Sequence, residues 1–292
     1  MIDLRDIFIC AGINITKSMC KPKIYTVAAM ILAFYSYHLS GLSKLCSALN
    51  TLVSPWILPH IYTTPLVLVL NGFFLTALFS DLPMMDAQAY FIIFRIKRGT
   101  WVSGQIMYII LMSLLFVLYT FFVTVISLFP NVEWTCEWGI LIRTLAVNAS
   151  TLSARTGVIL DVGVEKSILD TYNGIDATIV SLGLLWLVSC FAGVLILCLN
   201  TLTHAKTGVI VSGIFSYMCF FGHYQGTVML GRWVAYISPY SWVSINSINW
   251  TQQSGIAPPQ SAYIFCTLAG CSVFLSLLYI LLFFKQDFAC SG

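Results

Sequence analysis

The chain has 292 residues, 59% of them hydrophobic and 9% charged, with a formal net charge of +3 and a mean hydropathy of +0.90. That much apolar surface cannot be hidden in one water-soluble core, so composition excludes an ordinary soluble globule and indicates an integral membrane protein. The net charge is small and no basic patch is interleaved with aromatics outside one loop, which argues against a nucleic-acid partner; the length is that of one membrane domain.

Residues 1–23 place Leu4, Ile7, Phe8, Ala11 and Ile15 at helical spacing, with Asp3, Arg5, Asp6 and Lys17 mostly on other faces. The pattern predicts an amphipathic helix lying in the membrane interface. A cleaved signal peptide is the alternative, but its apolar run is weak and two acids spoil its basic start. After Pro22, a first span is expected over residues 24–41. Residues 42–64, with Pro55, Trp56, Pro59, His60 and Tyr62, have the composition of an external turn with interfacial aromatics. A second span follows over 63–80.

Residues 81–105, DLPMMDAQAYFIIFRIKRGTWVSGQ, form a charged and aromatic loop before a third span over 106–129. Arg95, Lys97 and Arg98 have no acid nearby, which assigns this loop to the cytoplasmic side and orients the whole chain. Tyr90, Phe91, Ile93 and Phe94 followed by those three cations predict a short helix with exposed aromatics and a basic end. Two readings are open for it. The helix docks into a groove on a soluble partner, or it rests its aromatics among lipid headgroups with its cations on phosphates.

Residues 131–176 carry six of the eleven acids, Glu133, Glu137, Asp161, Glu165, Asp170 and Asp176. They are expected to form an outer segment of surface helices, with Trp134 and Trp138 at headgroup level. A fourth span over 177–199, an inner turn with His204 and Lys206, and a short fifth span over 208–223 come next. Residues 224–260 are broken by glycine and proline and rich in aromatics, which indicates a re-entrant or interfacial hairpin on the outer face. A sixth span covers 261–284. The expected fold is therefore all-α, with residues 1–23 as an interfacial helix, residues 24–292 as a six-span membrane domain, and both termini cytoplasmic.

Chemical motifs are mostly absent. No P-loop, HExxH, GxSxG or paired-carboxylate pattern occurs, so neither enzymatic activity nor a cofactor is expected on this chain. The ten cysteines show no metal spacing; Cys46 and Cys136 would both lie outside on this topology, which leaves a disulfide between them open. No Asp, Glu, Lys or Arg lies near the centre of a span, which counts against ion-coupled carriage. Asn71 is a buried amide in the second span, read as interhelical glue before substrate ligand. What is left is a passive structure, a channel, or a subunit driven by another protein.

The FxIxRxKRxxWxxGQIxY stretch from Phe91 to Tyr108 and Ser238-Pro239-Tyr240-Ser241-Trp242 before the last span complete the pattern. With the order of elements, they give a chain that resembles the type-2 permeases of ABC transporters. The resemblance implies an exporter half in a bacterial plasma membrane, paired with a second permease, identical or homologous, above ATP-binding subunits that hold ATP and magnesium. It implies ATPase docking through Tyr90, Phe91, Phe94, Arg95, Lys97 and Arg98. It further implies a substrate path past the second and fifth spans, with Asn71, Phe73, Phe74, Phe215, Tyr217, Phe220 and Phe221 as candidate lining. These aromatics could equally face lipid. An apolar lining implies an amphipathic or hydrophobic substrate, a peptide or a lipid. The rival readings are a scaffold or immunity protein that does not transport, and an ion-independent channel.

Overall fold

The computed structural model describes residues 4–85, 97–221, 233–249 and 259–285. Helices α1 (Leu4–Met19), α2 (Pro22–Leu49), α3 (Leu58–Ile61) and α4 (Pro65–Phe79) precede α5 (Arg98–Leu128) and α6 (Gly139–Thr156). Then come α7 (Lys166–Thr171), α8 (Gly174–Thr203), α9 (Thr207–Phe220), α10 (Val234–Ile237) and α11 (Ser261–Lys285). Two 3-10 turns, Pro239–Val243 and Ile245–Ser247, lie between α10 and α11. Among the described residues there is no β-strand, and the isolated bridges join Val53 to Val132 and Asn249 to Gln260. Proline at the start of α2 and α4 supplies a helical φ where its missing N–H costs nothing. Asn50, left-handed at φ 49°, closes α2.

Among the described residues, α5, α8 and α11 are long and apolar enough to cross a membrane, and the protein is membrane-embedded in character. The apolar helices α4 and α9 have 15 and 14 residues. Each is about 20 Å long at the α-helical rise, short of the ~30 Å hydrocarbon layer. With 28 residues α2 is long enough, but lysine, serine, tyrosine and histidine dilute its apolar character.

Side-chain contacts fix the direction of each helix. Tyr119 donates to the Ala28 carbonyl at 2.8 Å and the Ser36 and Ser127 hydroxyls meet at 3.0 Å, so α2 and α5 run side by side in one direction. Thr76 meets Ser212 at 2.7 Å and Gly72 abuts Ser216, so α4 and α9 are antiparallel. The α8 chain descends from Gly174, against Trp56, through Gly193, against Ile109 and Phe79, to Asn200, which donates to the Leu82 carbonyl at 2.7 Å. In α11, Tyr263 meets Tyr236 edge-on and Phe283 is stacked on Trp101. The helices α2, α4, α5, α8, α9 and α11 therefore alternate in direction. One end of the bundle is rich in lysine, the other in tryptophan.

The α8 helix is the hub, touching α3, α4, α5, α9 and α11. At the lysine-rich end α1 lies across the start of α5, with Cys10 over Gly104 and the Ser18 and Tyr108 hydroxyls 3.0 Å apart. It buries Ile7, Cys10, Ala11, Asn14 and Ser18 and leaves Leu4 and Phe8 exposed, so the face met by protein is only partly the apolar one expected.

At the tryptophan-rich end the structure departs from the sequence reading. The helix of the first expected span, α2, continues to Leu49, and residues 57–62 are buried rather than interfacial. The cause is the segment after α5, which folds back as a cap. The Val53 N–H donates to the Asn131 carbonyl at 2.8 Å, the Glu133 N–H to Val53 at 2.9 Å, and Trp56 Nε1 to Thr135 at 2.6 Å. The Ile159 carbonyl sits directly on Gly41, where any side chain would collide with it. Trp134 stays exposed, whereas Trp138 is buried and donates to the Tyr172 carbonyl at 2.7 Å, since an indole N–H taken from water needs a partner. Cys46, buried, and Cys136, exposed, are both free thiols.

Candidate functional site

The seam between α4 and α9 is built from small residues. Gly208, Ser212 and Ser216 recur every fourth position and form one stripe on α9, the spacing that lets two backbones approach closely in lipid. The approach is close enough that a Cβ on Gly72 would come within 2.5 Å of Ser216 Oγ, and one on Gly208 within 2.6 Å of the Ile196 carbonyl of α8. Polar groups in this seam satisfy one another. Ser212 Oγ lies 2.7 Å from Thr76 Oγ1 and 2.8 Å from Tyr240 Oη, while Ser216 donates to the Ser212 carbonyl.

Tyr240 comes from the Ser-Pro-Tyr-Ser-Trp element. Residues 239–243 wind into a buried 3-10 turn, started by Pro239 and held by Trp242 Nε1 donating to the Ala235 carbonyl at 2.7 Å. This turn pushes the tyrosine between α4, α8 and α9. Three chain segments far apart in sequence are thereby joined through one serine hydroxyl.

The candidate path residues divide into two groups. Asn71 is buried and donates to Tyr35 Oη at 2.8 Å and to the Val67 carbonyl at 2.9 Å, which ties α2 to α4. Phe74 is buried in the core and Phe215 packs against it from the side. Phe73, Tyr217 and Phe220 are exposed, at 42%, 57% and 41%. Phe73 reaches the α9 surface at Gly213, one turn from Tyr217, and Phe221 stands edge-on to both Tyr217 and Phe220 with ring centres 5.3 and 5.9 Å away. An exposed aromatic row thus covers the outside of the α4–α9 seam.

Of the candidate docking residues, Tyr90, Phe91, Phe94 and Arg95 lie outside the described residues, as does most of the segment between α4 and α5. Lys97 precedes α5 and Arg98 opens it, both exposed at the lysine-rich end. Parts of the expected outer hairpin, 224–232 and 250–258, lie outside as well.

At the lysine-rich end a cleft of about 500 Å³ opens between the α1–α2 turn, the end of α4 and the α8–α9 turn. Lys17, Lys21, Asp81, His204 and Lys206 supply its charge and titratable groups. Asp81 Oδ2 accepts from Lys21 Nζ and pairs with Lys23 Nζ, both at 2.9 Å. Burial alone would raise this carboxyl, but the two ammonium groups outweigh it and hold the pKa below its usual value. The back of the cleft is pinned by Asn200, which donates to Leu82 and accepts the Gly208 N–H at 2.9 Å.

Sequence reasoning missed Tyr35, Thr76, Ser212 and Tyr240 as connectors. The four-residue spacing of Gly208, Ser212 and Ser216 signals the seam; no sequence signal pairs it with Tyr240. Among the described residues, no group of three His, Cys, Asp or Glu side chains could hold a metal ion. No family model, curated protein or solved structure matches the chain.

Proposed function

We propose that this chain is the membrane-spanning permease subunit of an ATP-driven exporter of the ABC type, moving an amphipathic or hydrophobic substrate such as a peptide or lipid. The observation that carries the reading is the alternation of six helices, with α1, the end of α4 and the start of α5 at the same end. All six then cross the bilayer, α4 and α9 with help from the caps at their ends, and the lysine-rich end faces the cytoplasm of a bacterial cell. ATP and magnesium bind to a separate ATPase, which docks on Tyr90, Phe91, Phe94, Arg95, Lys97 and Arg98. The region after α9 forms the re-entrant outer hairpin.

In this reading α4, α9 and the Tyr240 turn move as one unit, since their contacts are small-residue packing and a continuous hydrogen-bonded chain. The aromatic row of Phe73, Tyr217 and Phe220 faces a second permease, the same or homologous, and substrate passes between the two. An uncharged aromatic wall suits a substrate with a large apolar part.

Coexpression with the genes that neighbour its own, followed by gentle purification and mass spectrometry, tests the reading. A stoichiometric P-loop protein whose ATPase depends on this chain is the expected result. Phe91→Ala with Phe94→Ala, or Arg95→Glu with Arg98→Glu, should leave insertion intact and release that partner. Copurification unchanged by both pairs would remove the docking assignment, and a chain that purifies alone would remove the exporter.

A further inference from the structure

Where α1 crosses α5, polar side chains are buried in one layer. Cys10 lies over Gly104, and the Ser18 and Tyr108 hydroxyls meet at 3.0 Å, so Asn14, midway along that face of α1, stands at the level of Gln105. On its flank toward α11, α5 stacks Trp101 on Phe283. Gln105 is one turn on from Trp101 and Tyr279 one turn back from Phe283, so in these antiparallel helices they too share a level. Three polar side chains from three helices thus occupy the same depth.

None of the three is satisfied. Gln105 is fully buried, and neither its Oε1 nor its Nε2 meets a hydrogen-bonding group among the described residues; the same holds for Tyr279 Oη and Asn14 Nδ2. A buried amide without partners destabilises the arrangement that buries it by more than its hydrogen bonds would contribute if made. The apolar side of the contact offers little in return. α1 meets protein through Ile7, Cys10, Ala11, Asn14 and Ser18, while the larger Leu4 and Phe8 are exposed.

We infer that the docking of α1 on α5 is one state of a built-in switch: α1 lifts from α5 around Gly104, and Gln105, Asn14 and Tyr279 then gain hydrogen bonds to water. The lifted helix keeps Leu4 and Phe8 in the membrane interface, where an amphipathic helix is held by its apolar face alone. Cys10 is a native reporter of this movement. A Cβ on Gly104 would come within 2.6 Å of its Sγ, and burial pushes its thiol pKa up, so it reacts from the lifted state and not from the docked one. The inference does not depend on the exporter reading, because the contact lies within this chain.

The test reacts the detergent-purified full chain with a small maleimide and follows Cys10 and Cys46 separately by peptide mass spectrometry. Cys46 is as deeply buried, at the opposite end of the bundle. Gln105→Met keeps the length of the side chain without its polar atoms, and should slow labelling of Cys10 by about tenfold, the scale set by an unpartnered buried amide, with Cys46 unchanged. Tyr279→Phe removes only a hydroxyl and should slow Cys10 by about threefold. Labelling of Cys10 that either variant leaves unchanged or accelerates overturns the proposal, acceleration being the result expected of a layer held together by water. Labelling of Cys46 that slows along with Cys10 overturns it too, because the variants would then act on the whole fold and not on α1. A Cys10 that never reacts in folded wild type overturns it as well.

Discussion

The helices α8 and α11 are both long and strongly apolar, yet 67% of the most apolar stretch of α8 is buried within the protein against 17% of that of α11. In water such a difference would show as an amphipathic stripe. In lipid it does not, because hydrocarbon surrounds an apolar side chain as well as a protein neighbour does, and helices associate instead through close packing and hydrogen bonds. The α8 helix earns its central place by shape and by polar groups. Gly193 admits Ile109 to the backbone, and Asn200 bridges Leu82 and Gly208. Small residues alone do not decide the matter: α11 carries Gly270, and nothing lies within 4 Å of where its Cβ would be.

The comparison can be broken by truncation. Leu184→Ala removes a fully buried side chain of α8 and is expected to cost about 3 kcal/mol, with the bundle unable to collapse around the void. Survival of the monodisperse peak after heating in detergent reads this loss. A wild-type melting profile for this variant would mean that α8 is not the hub.

Acid should act on α8 from the opposite end, through the cap. His60, buried in α3 with its ring centre 4.8 Å from that of Trp138, accepts the Glu165 N–H at 3.3 Å, and burial pushes its pKa from 6.5 down to about 4. The folded state holds the imidazole neutral, while the unfolded chain takes up a proton below pH 6.5. Stability present above that pH is therefore lost as pH falls through the window to about 4, and levels off below it. The full effect is about 3 kcal/mol at most. Thermal unfolding across the window should show this slope in wild type and a shallower one in His60→Gln.

Asn200→Ala should cost about 1–3 kcal/mol, because the Leu82 carbonyl and the Gly208 N–H would lose their partner in a buried place. The same heating assay measures it, and an unchanged profile would show that water replaces the amide. The smallest effect belongs to α11. Leu277→Ala, at a position 55% exposed, is expected within about 0.5 kcal/mol of wild type in detergent. A larger loss would mean that α11 is covered by a partner that copurifies.

Legibility followed the kind of force involved. The spans over 106–129, 177–199 and 261–284 could be read directly, since length and hydropathy alone mark α5, α8 and α11. Asn71 was legible as glue because a buried amide must find a partner, though Tyr35 as that partner was not. The cap was misread at residues 57–62 because proline, tryptophan and tyrosine look alike at an interface and inside a folded lid. What buries them is the chain from Asn131 onward, some seventy residues later in sequence.

The sequence by itself determined that this is an all-helical membrane-embedded protein with cations gathered at one end, because transfer of apolar segments and of charges into lipid is a local property of each segment. Only the tertiary structure decided which helix is central, that Ser212 joins Thr76 to Tyr240, and that Lys17, Asp81 and Lys206 share a cleft. Those facts depend on close contact between segments distant in sequence. In a medium that rewards every apolar helix equally, such contact is chosen by fit and by hydrogen-bond partners.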